Sequence, residues 1–317
     1  MKRKEGGRGL ISTLECVKGE VSGLSEYVRG SEEWMLKVVA AEIPVTESKL
    51  DFKRRVEEER RKEFEGRKLH GAFFQDVRDI ADDRSWQWLR GGYLSKGFEA
   101  YVCAAQEQAI RTRTIRAMID KENISMVCRK CEKANETLGH LASGCEALAG
   151  KEYRRRHDRM GLRVYWEVCR LYGVKCAEKW YEETPDEVRI SKDGKVEIWW
   201  DRKVVTMRSV ECCRPDVTIV SRRTKEWTFV DFSIPWDRNV LVKEQEKINK
   251  YAPLCREIAK LHHVRTRVVP IIVGSLGIVS GNLEGHIKEL GIPDVLGGLQ
   301  TSAIVGTSLI LKKVLGT

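Results

Sequence analysis

Two periodicities divide this chain. Over its first part, apolar residues recur at helical spacing: Gly9 to Tyr27 and Glu33 to Ala41 carry such stripes, and Phe98 to Lys121 predicts one long helix. Asp51 to Lys68 is a helix of another kind, in which Phe52, Val56 and Phe64 form only a thin apolar line. Its neighbouring Glu57 to Glu59 and Arg60 to Lys62 point to a solvated helix laced with ion pairs rather than to a nucleic-acid patch. Residues 1–122 therefore read as a helical linker region.

From Glu152 onward the spacing alternates between helix and strand. Glu152 to Tyr172 is an amphipathic helix with Leu162, Tyr165, Trp166, Cys169 and Leu171 on its apolar side. Val188-Arg189-Ile190 leads to an Asp193-Gly194 turn, then to strands over Val196 to Trp200 and Arg202 to Thr206. Two runs rich in β-branched and aromatic residues follow, Val217 to Val220 and Glu226 to Phe232, on either side of a polar bend. Asn239 to His262 is a helix that Pro253 should interrupt or restart. Val268 to Val273 is a buried-type strand, and Glu284 to Leu290 and Leu299 to Leu315 finish as helices. The order predicts an α/β sandwich with helices packed on a central mixed sheet over residues 151–317.

Composition narrows the class. With 42% hydrophobic and 33% charged residues over 317 positions, the chain is a soluble globular protein with room for two or three domains, not a disordered one. A net charge of +10, spread along the whole length, fits a nucleic-acid partner. Met1-Lys2-Arg3-Lys4-Glu5-Gly6-Gly7 lacks the apolar core of a secretory signal, and Lys312 and Lys313 break the apolar run Ala303 to Leu315. An intracellular setting with no membrane partner is expected, so the ten cysteines should be thiols or metal ligands rather than disulfides.

Three of those cysteines fall in Cys128-x2-Cys131-x8-His140-x4-Cys145. The first pair can present two thiolates from one tight turn, and His140 and Cys145 return on a short helical turn to close a tetrahedron. Soft and borderline ligands with no carboxylate select zinc, so residues 123–150 read as a CCHC knuckle holding structural Zn²⁺; chance thiols are the alternative. The other seven cysteines read as buried small hydrophobes, Cys212-Cys213 among them.

Folding the Val217–Phe232 hairpin about its centre pairs Val220 with Trp227 and Val217 with Val230, which sets Asp216 opposite Asp231. Directly opposed residues share a face with Cβ atoms roughly 5 Å apart. Two carboxylates so placed repel unless a cation lies between them, and oxygen ligands suit Mg²⁺ or Mn²⁺. The plainer reading makes Asp216 a turn residue after Pro215 and Asp231 a solvated strand residue. Pro-Asp also occurs at Pro185-Asp186 and Pro293-Asp294, neither followed by two strand-like runs that end in a second carboxylate. Lys243, Lys247, Lys250 and Tyr251 share one face of the next helix, where a lysine can reach such a site; a solvated face paired with Glu244 and Glu246 is the alternative.

As an ordered set, the knuckle, Arg156-His157-Asp158, Arg214-Pro215-Asp216, Asp231 and Lys247-x2-Lys250-Tyr251 resemble the C-terminal end of the polyprotein of non-LTR retrotransposons that carry a restriction-like endonuclease. The likeness spans about residues 98–317 and extends more loosely to 8–41. It implies a PD-(D/E)xK endonuclease domain that nicks target DNA to prime reverse transcription. Asp216 and Asp231 would hold catalytic Mg²⁺, and Lys250 or Lys247 would replace the lysine that such domains normally carry at the position of Ser233. Arg111, Arg113 and Arg116 ahead of the knuckle, with Arg156 and His157, would contact nucleic acid; for the last two, helix packing is an equal alternative. DNA and element RNA are the implied partners, and the nucleus the implied location. No polymerase palm motif accompanies them, since Asp82-Asp83 lies outside any strand-turn-strand pattern, so the chain looks like a fragment or truncated copy of such an element. The rival readings are a nucleic-acid-binding remnant without turnover, and a resolvase or repair nuclease that shares only the fold.

Overall fold

The structure, a computed structural model, describes residues 3–7, 12–44, 47–176 and 181–316; residues 9–11 of the first expected helix lie outside them. The chain forms two compact units, Met1–Gln75 and Asp76–Thr317.

The first unit is helical. Helix α1 (Thr13–Gly30) packs against both α2 (Trp34–Glu42) and α3 (Lys49–Glu65), and α4 (Ala72–Asp76) closes the segment. Ser48 caps α3 by accepting from the Asp51 N–H at 3.1 Å. The charged α3 uses its charges as ion pairs: Arg60 meets Glu15 and Lys49 meets Glu20 at 2.7 Å, both on α1, while Arg55 bridges Glu47 and Glu59.

The second unit is mixed α/β, with a five-stranded sheet. Its first helices are α5 (Gln87–Arg90), α6 (Lys96–Gln106) and α7 (Arg113–Met118). The single helix expected over Phe98 to Lys121 is therefore two. Gln108 takes a left-handed φ of 56°, and Thr112 starts a new helix by accepting from the Ile115 N–H at 3.3 Å. Although read with the N-terminal helices, residues 76–122 belong to this unit. The Gln300 amide donates to the Gly277 and Ser85 carbonyl oxygens at 2.8 and 3.0 Å, and Gln106 donates to the Leu276 carbonyl at 3.2 Å. Asp82 caps a short turn, accepting from the Arg84 and Ser85 N–H groups at 2.9 and 3.1 Å.

Helices α8 (Glu146–Leu148) and α9 (Arg154–Leu171) lead into β1 (Val188–Ile190), β2 (Val196–Trp200), β3 (Val217–Ser221) and β4 (Glu226–Ser233). These four strands pair antiparallel in sequence order. Helix α10 (Val240–His262) then crosses over, so that β5 (Arg265–Ile272) lies parallel to β4, and α11 (Asn282–Leu290) and α12 (Leu296–Leu315) follow. The edges of the sheet are the three-residue β1 and β5, which contains Pro270. Arg202 to Thr206 is not a strand, because β1 already occupies the free edge of β2 and β4 the other edge of β3. Nor does Pro253 break α10. The hydrogen bond it forfeits is outweighed by burial of Tyr251, Leu254 and Ile258 against Phe229.

Strand alternation sorts side chains to the two faces. Val196, Ile198, Val217, Ile219, Val230 and Phe232 face α9, α11 and α12, with Trp166 and Leu299 in the same core. Phe229 faces α10. Gly161 permits close approach of α9 to the sheet, since a Cβ there would stand 2.8 Å from the Phe232 ring. Among the described residues, no helix is long and apolar enough to cross a membrane.

Candidate active site and metal centre

The β3–β4 ladder runs Val217↔Val230 to Ser221↔Glu226; Asp216 stands one residue beyond its end on one strand and Asp231 one residue beyond it on the other. Asp231 alternates with Val230 and so belongs to the α10 face. Asp216 reaches across the hairpin end: its Oδ2 accepts from the Phe232 N–H at 2.7 Å and lies 3.2 Å from His157 Nε2 on α9. The other ring nitrogen, Nδ1, is 3.1 Å from Asp158 Oδ1. Burial pulls the His157 pKa down, but hydrogen bonds to Asp158 and Asp216 outweigh it and push it up to about 10, so the ring is a cation at neutral pH. Burial pushes Asp216 up, and the His157 cation, the Phe232 N–H and the more distant Lys247 charge together hold it below the ordinary carboxylate range.

Asp231 is 2% exposed and is served by one turn of α10. Lys247 Nζ pairs with Oδ2, Lys250 Nζ stands 3.6 Å from Oδ1, and the Tyr251 hydroxyl donates to Oδ1. Lys250 also donates to that hydroxyl at 2.9 Å, so Tyr251 relays between the second lysine and the carboxylate. Burial and the Asp231 charge raise the Tyr251 pKa far above its ordinary value, keeping the phenol protonated as a donor. The i, i+3, i+4 spacing of the three residues gathers them on one carboxylate.

In front of Asp216 lies an open cleft of about 750 Å³. The start of α9 (Arg154, Arg156, His157) and the turn Ser143-Gly144 line it on some sides, and Ser233 to Trp236, Asn239 and Lys243 on others. Asp201 and Arg214, joined by an ion pair at 2.8 Å, complete the rim. Arg156 is buried: its guanidinium donates to Thr307 Oγ1 at 2.6 Å and to the Ile234 carbonyl at 3.3 Å and lies over the Tyr153 ring. Burial lowers its pKa to about 10. Asp237, just behind the cleft, accepts from the Leu276 and Ile278 N–H groups and from Ser275, yet full burial raises it to about 6.

Cys128, Cys131, His140 and Cys145 place their ligand atoms all within 4.8 Å of one another. Cys128 and Cys145 Sγ are 3.9 Å apart, and Cys131 Sγ and His140 Nε2 3.3 Å. A tetrahedral ion with metal–sulfur bonds of ~2.3 Å requires sulfur–sulfur edges of about 3.8 Å, so the cluster is shaped to hold a metal ion. The first pair sits on a small hairpin closed by Cys128 N–H to the Ala134 carbonyl at 2.8 Å, with Glu132 at a left-handed φ of 57°. Beneath it the fully buried Glu136 accepts from Arg129 Nη2 at 2.8 Å and from the Arg113 N–H at 3.0 Å. His140 begins a π-type turn that ends before Cys145. The Tyr153 hydroxyl fastens that turn, donating to the Leu141 carbonyl at 2.8 Å and accepting from the Cys145 N–H at 3.1 Å.

The remaining site candidates are placed differently. Arg111 pairs with Asp120 and Glu122, Arg116 with Glu122, and Arg113 donates to the Val127 carbonyl at 2.9 Å, so these side chains brace the segment before the hairpin. His157 meets Asp216, and Arg156 packs at the back of the cleft. The sequence reading had named Tyr251 without a role and had no part for Asp158, Asp201, Glu136 or Tyr153. Tyr251 shares the lysine face of its helix, and Asp158 pairs with its neighbour His157; for Glu136 and Tyr153 no periodic signal exists, because their partners lie on other segments. Compared with known proteins, the chain matches no family model and no curated sequence.

Proposed function

We propose that the chain is a metal-dependent DNA endonuclease of the restriction-like kind, corresponding to the C-terminal part of a non-LTR retrotransposon protein, with zinc in its cysteine-histidine cluster. The observation that supports this best is the double provision at the hairpin end. Asp216 faces the cleft, while Asp231, across the same hairpin end, is met by Lys247, Lys250 and Tyr251 from one turn of α10. In this reading a lysine of α10 takes the part of the one missing at Ser233. Asp216 and Asp231, two hard carboxylates at the same end of the hairpin, would hold Mg²⁺, which when bound would polarise a phosphoryl oxygen and lower the pKa of a water. Lys250, held by Tyr251, would stabilise charge that builds on the phosphate. Arg214 and Lys243 on the rim hold flanking phosphates. His157 keeps Asp216 oriented. DNA and element RNA are the proposed partners, in the nucleus.

The test is nicking of supercoiled DNA with Mg²⁺ or Mn²⁺. Asp216→Ala and Lys250→Ala are each expected to cost on the order of 10²-fold in rate, with DNA affinity nearly unchanged. Unimpaired nicking by the Asp216 variant would end this reading. A nucleic-acid-binding protein without turnover is the second reading, favoured by one observation: His157 and Lys247 already supply each carboxylate with a cation. Salt-sensitive DNA binding with no nicking by the parent chain would select it.

A further inference from the structure

The loop that joins β2 to β3, residues 201–216, does more than connect strands. Its two ends are closed by Asp201 N–H to the Asp216 carbonyl at 2.8 Å and by Val204 N–H to the Cys213 carbonyl at 2.7 Å. Val204 is 1% exposed, set in the core with Phe229, Tyr251 and Leu254, and Val210, Cys212 and Cys213 pack against the same core. Between those anchors residues 205–209 project, and there Val205 is 81% and Met207 80% exposed. The tip is not slack. Thr206 Oγ1 donates to the Arg208 carbonyl at 2.8 Å, and the Arg208 N–H donates to Glu257 on α10 at 3.2 Å.

A lone exposed apolar side chain calls for no explanation. Two of them on a pinned tip, with cations around them, do. Around the tip stand Arg202, Lys203 and Arg208, with Glu211 the nearest carboxylate after them in sequence, Arg202 paired with Glu187, and Glu257 at the base, so the apolar tip lies in a segment of net positive charge. A protein partner would have to bury that charge, whereas a nucleic acid matches it with phosphates and offers base steps to the apolar tip. The loop is also continuous with the candidate active site. Asp201 and Arg214 at its base line the cleft, and its last residue is Asp216.

We propose that the 201–216 loop is a wedge: Val205 and Met207 enter a base step of duplex DNA while Lys203 and Arg208 hold the adjacent phosphates. This rests on the nuclease reading and adds to it the form of the substrate. The duplex must be opened or kinked beside the cleft, so flexible pyrimidine–purine steps would be preferred without any base-specific hydrogen bond.

The test places 2-aminopurine at successive positions of a duplex and adds the full chain with Ca²⁺ in place of Mg²⁺, so that binding is read without cleavage. The parent chain is expected to raise the fluorescence several-fold at one step. Val205→Ser/Met207→Ser should lose that rise and bind the matched duplex about tenfold more weakly, with a smaller loss on a duplex carrying a one-base bulge, where unstacking is already made. Arg208→Ala should flatten the salt dependence of binding by about one phosphate contact. A chain that binds and nicks DNA with no fluorescence rise anywhere, or a double variant that retains the rise, overturns the wedge and leaves the nuclease reading standing. Failure of the parent to bind DNA at all overturns both.

Discussion

His157 is the largest of the influences that hold Asp216 below the ordinary carboxylate range, and the pairing can be titrated. In the fold the imidazole is raised from 6.5 to about 10 by Asp158 and Asp216, against burial. A base raised on folding stabilises fully below its unfolded pKa, and that contribution is lost as pH climbs through the folded one. Urea stability of the parent should therefore fall relative to His157→Gln between pH 6.5 and about 10; parallel curves across that window would contradict the pairing. The register of the hairpin, Val217 against Val230 and Val220 against Trp227, was legible in the sequence, because alternating β-branched and aromatic residues fix it and a slip of one would turn Val217 and Val230 outward. The His157–Asp216 contact was not legible. It joins positions 59 residues apart, one on a helix and one in the loop just ahead of a strand, and the approach of α9 to Phe232 at Gly161 brings them within reach.

Among the elements, helices were misjudged wherever a local rule met tertiary packing. Propensity ran one helix through Phe98 to Lys121, but Thr112 prefers to cap, and the break delivers Arg113 to the hairpin beneath the cysteines. Pro253 erred in the opposite direction: it was expected to stop a helix that runs on through Val240–His262. There the local cost is real and is carried by burial. Pro253→Ala should raise stability by about 1–3 kcal/mol in urea denaturation, since an interior helical proline costs about 3 kcal/mol and its stiffening of the unfolded chain returns part of that. An unchanged or lowered midpoint would mean that the backbone around Asn249 has adapted to the missing donor. The helix that carries Lys247 and Lys250 therefore keeps its phase across the proline because Leu254 and Ile258 hold it to the sheet.

For the molecule as a whole, the cysteine-histidine cluster is the part with too little core of its own. Purified under reducing conditions, the chain should carry one zinc, and a strong chelator should raise hydrogen exchange across 126–148 while the five strands stay protected. Absence of metal in reduced protein, or exchange unaffected by chelation, would remove the ion from the structure. The sheet that survives such treatment has a further property set by its ends. β1 offers only three residues, and β5 carries Pro270, which has no N–H to give. Neither margin is a good template for another chain to lengthen the ladder. Self-association by strand addition, the usual route to fibrils for a sheet with open margins, is thereby discouraged at both ends of this one.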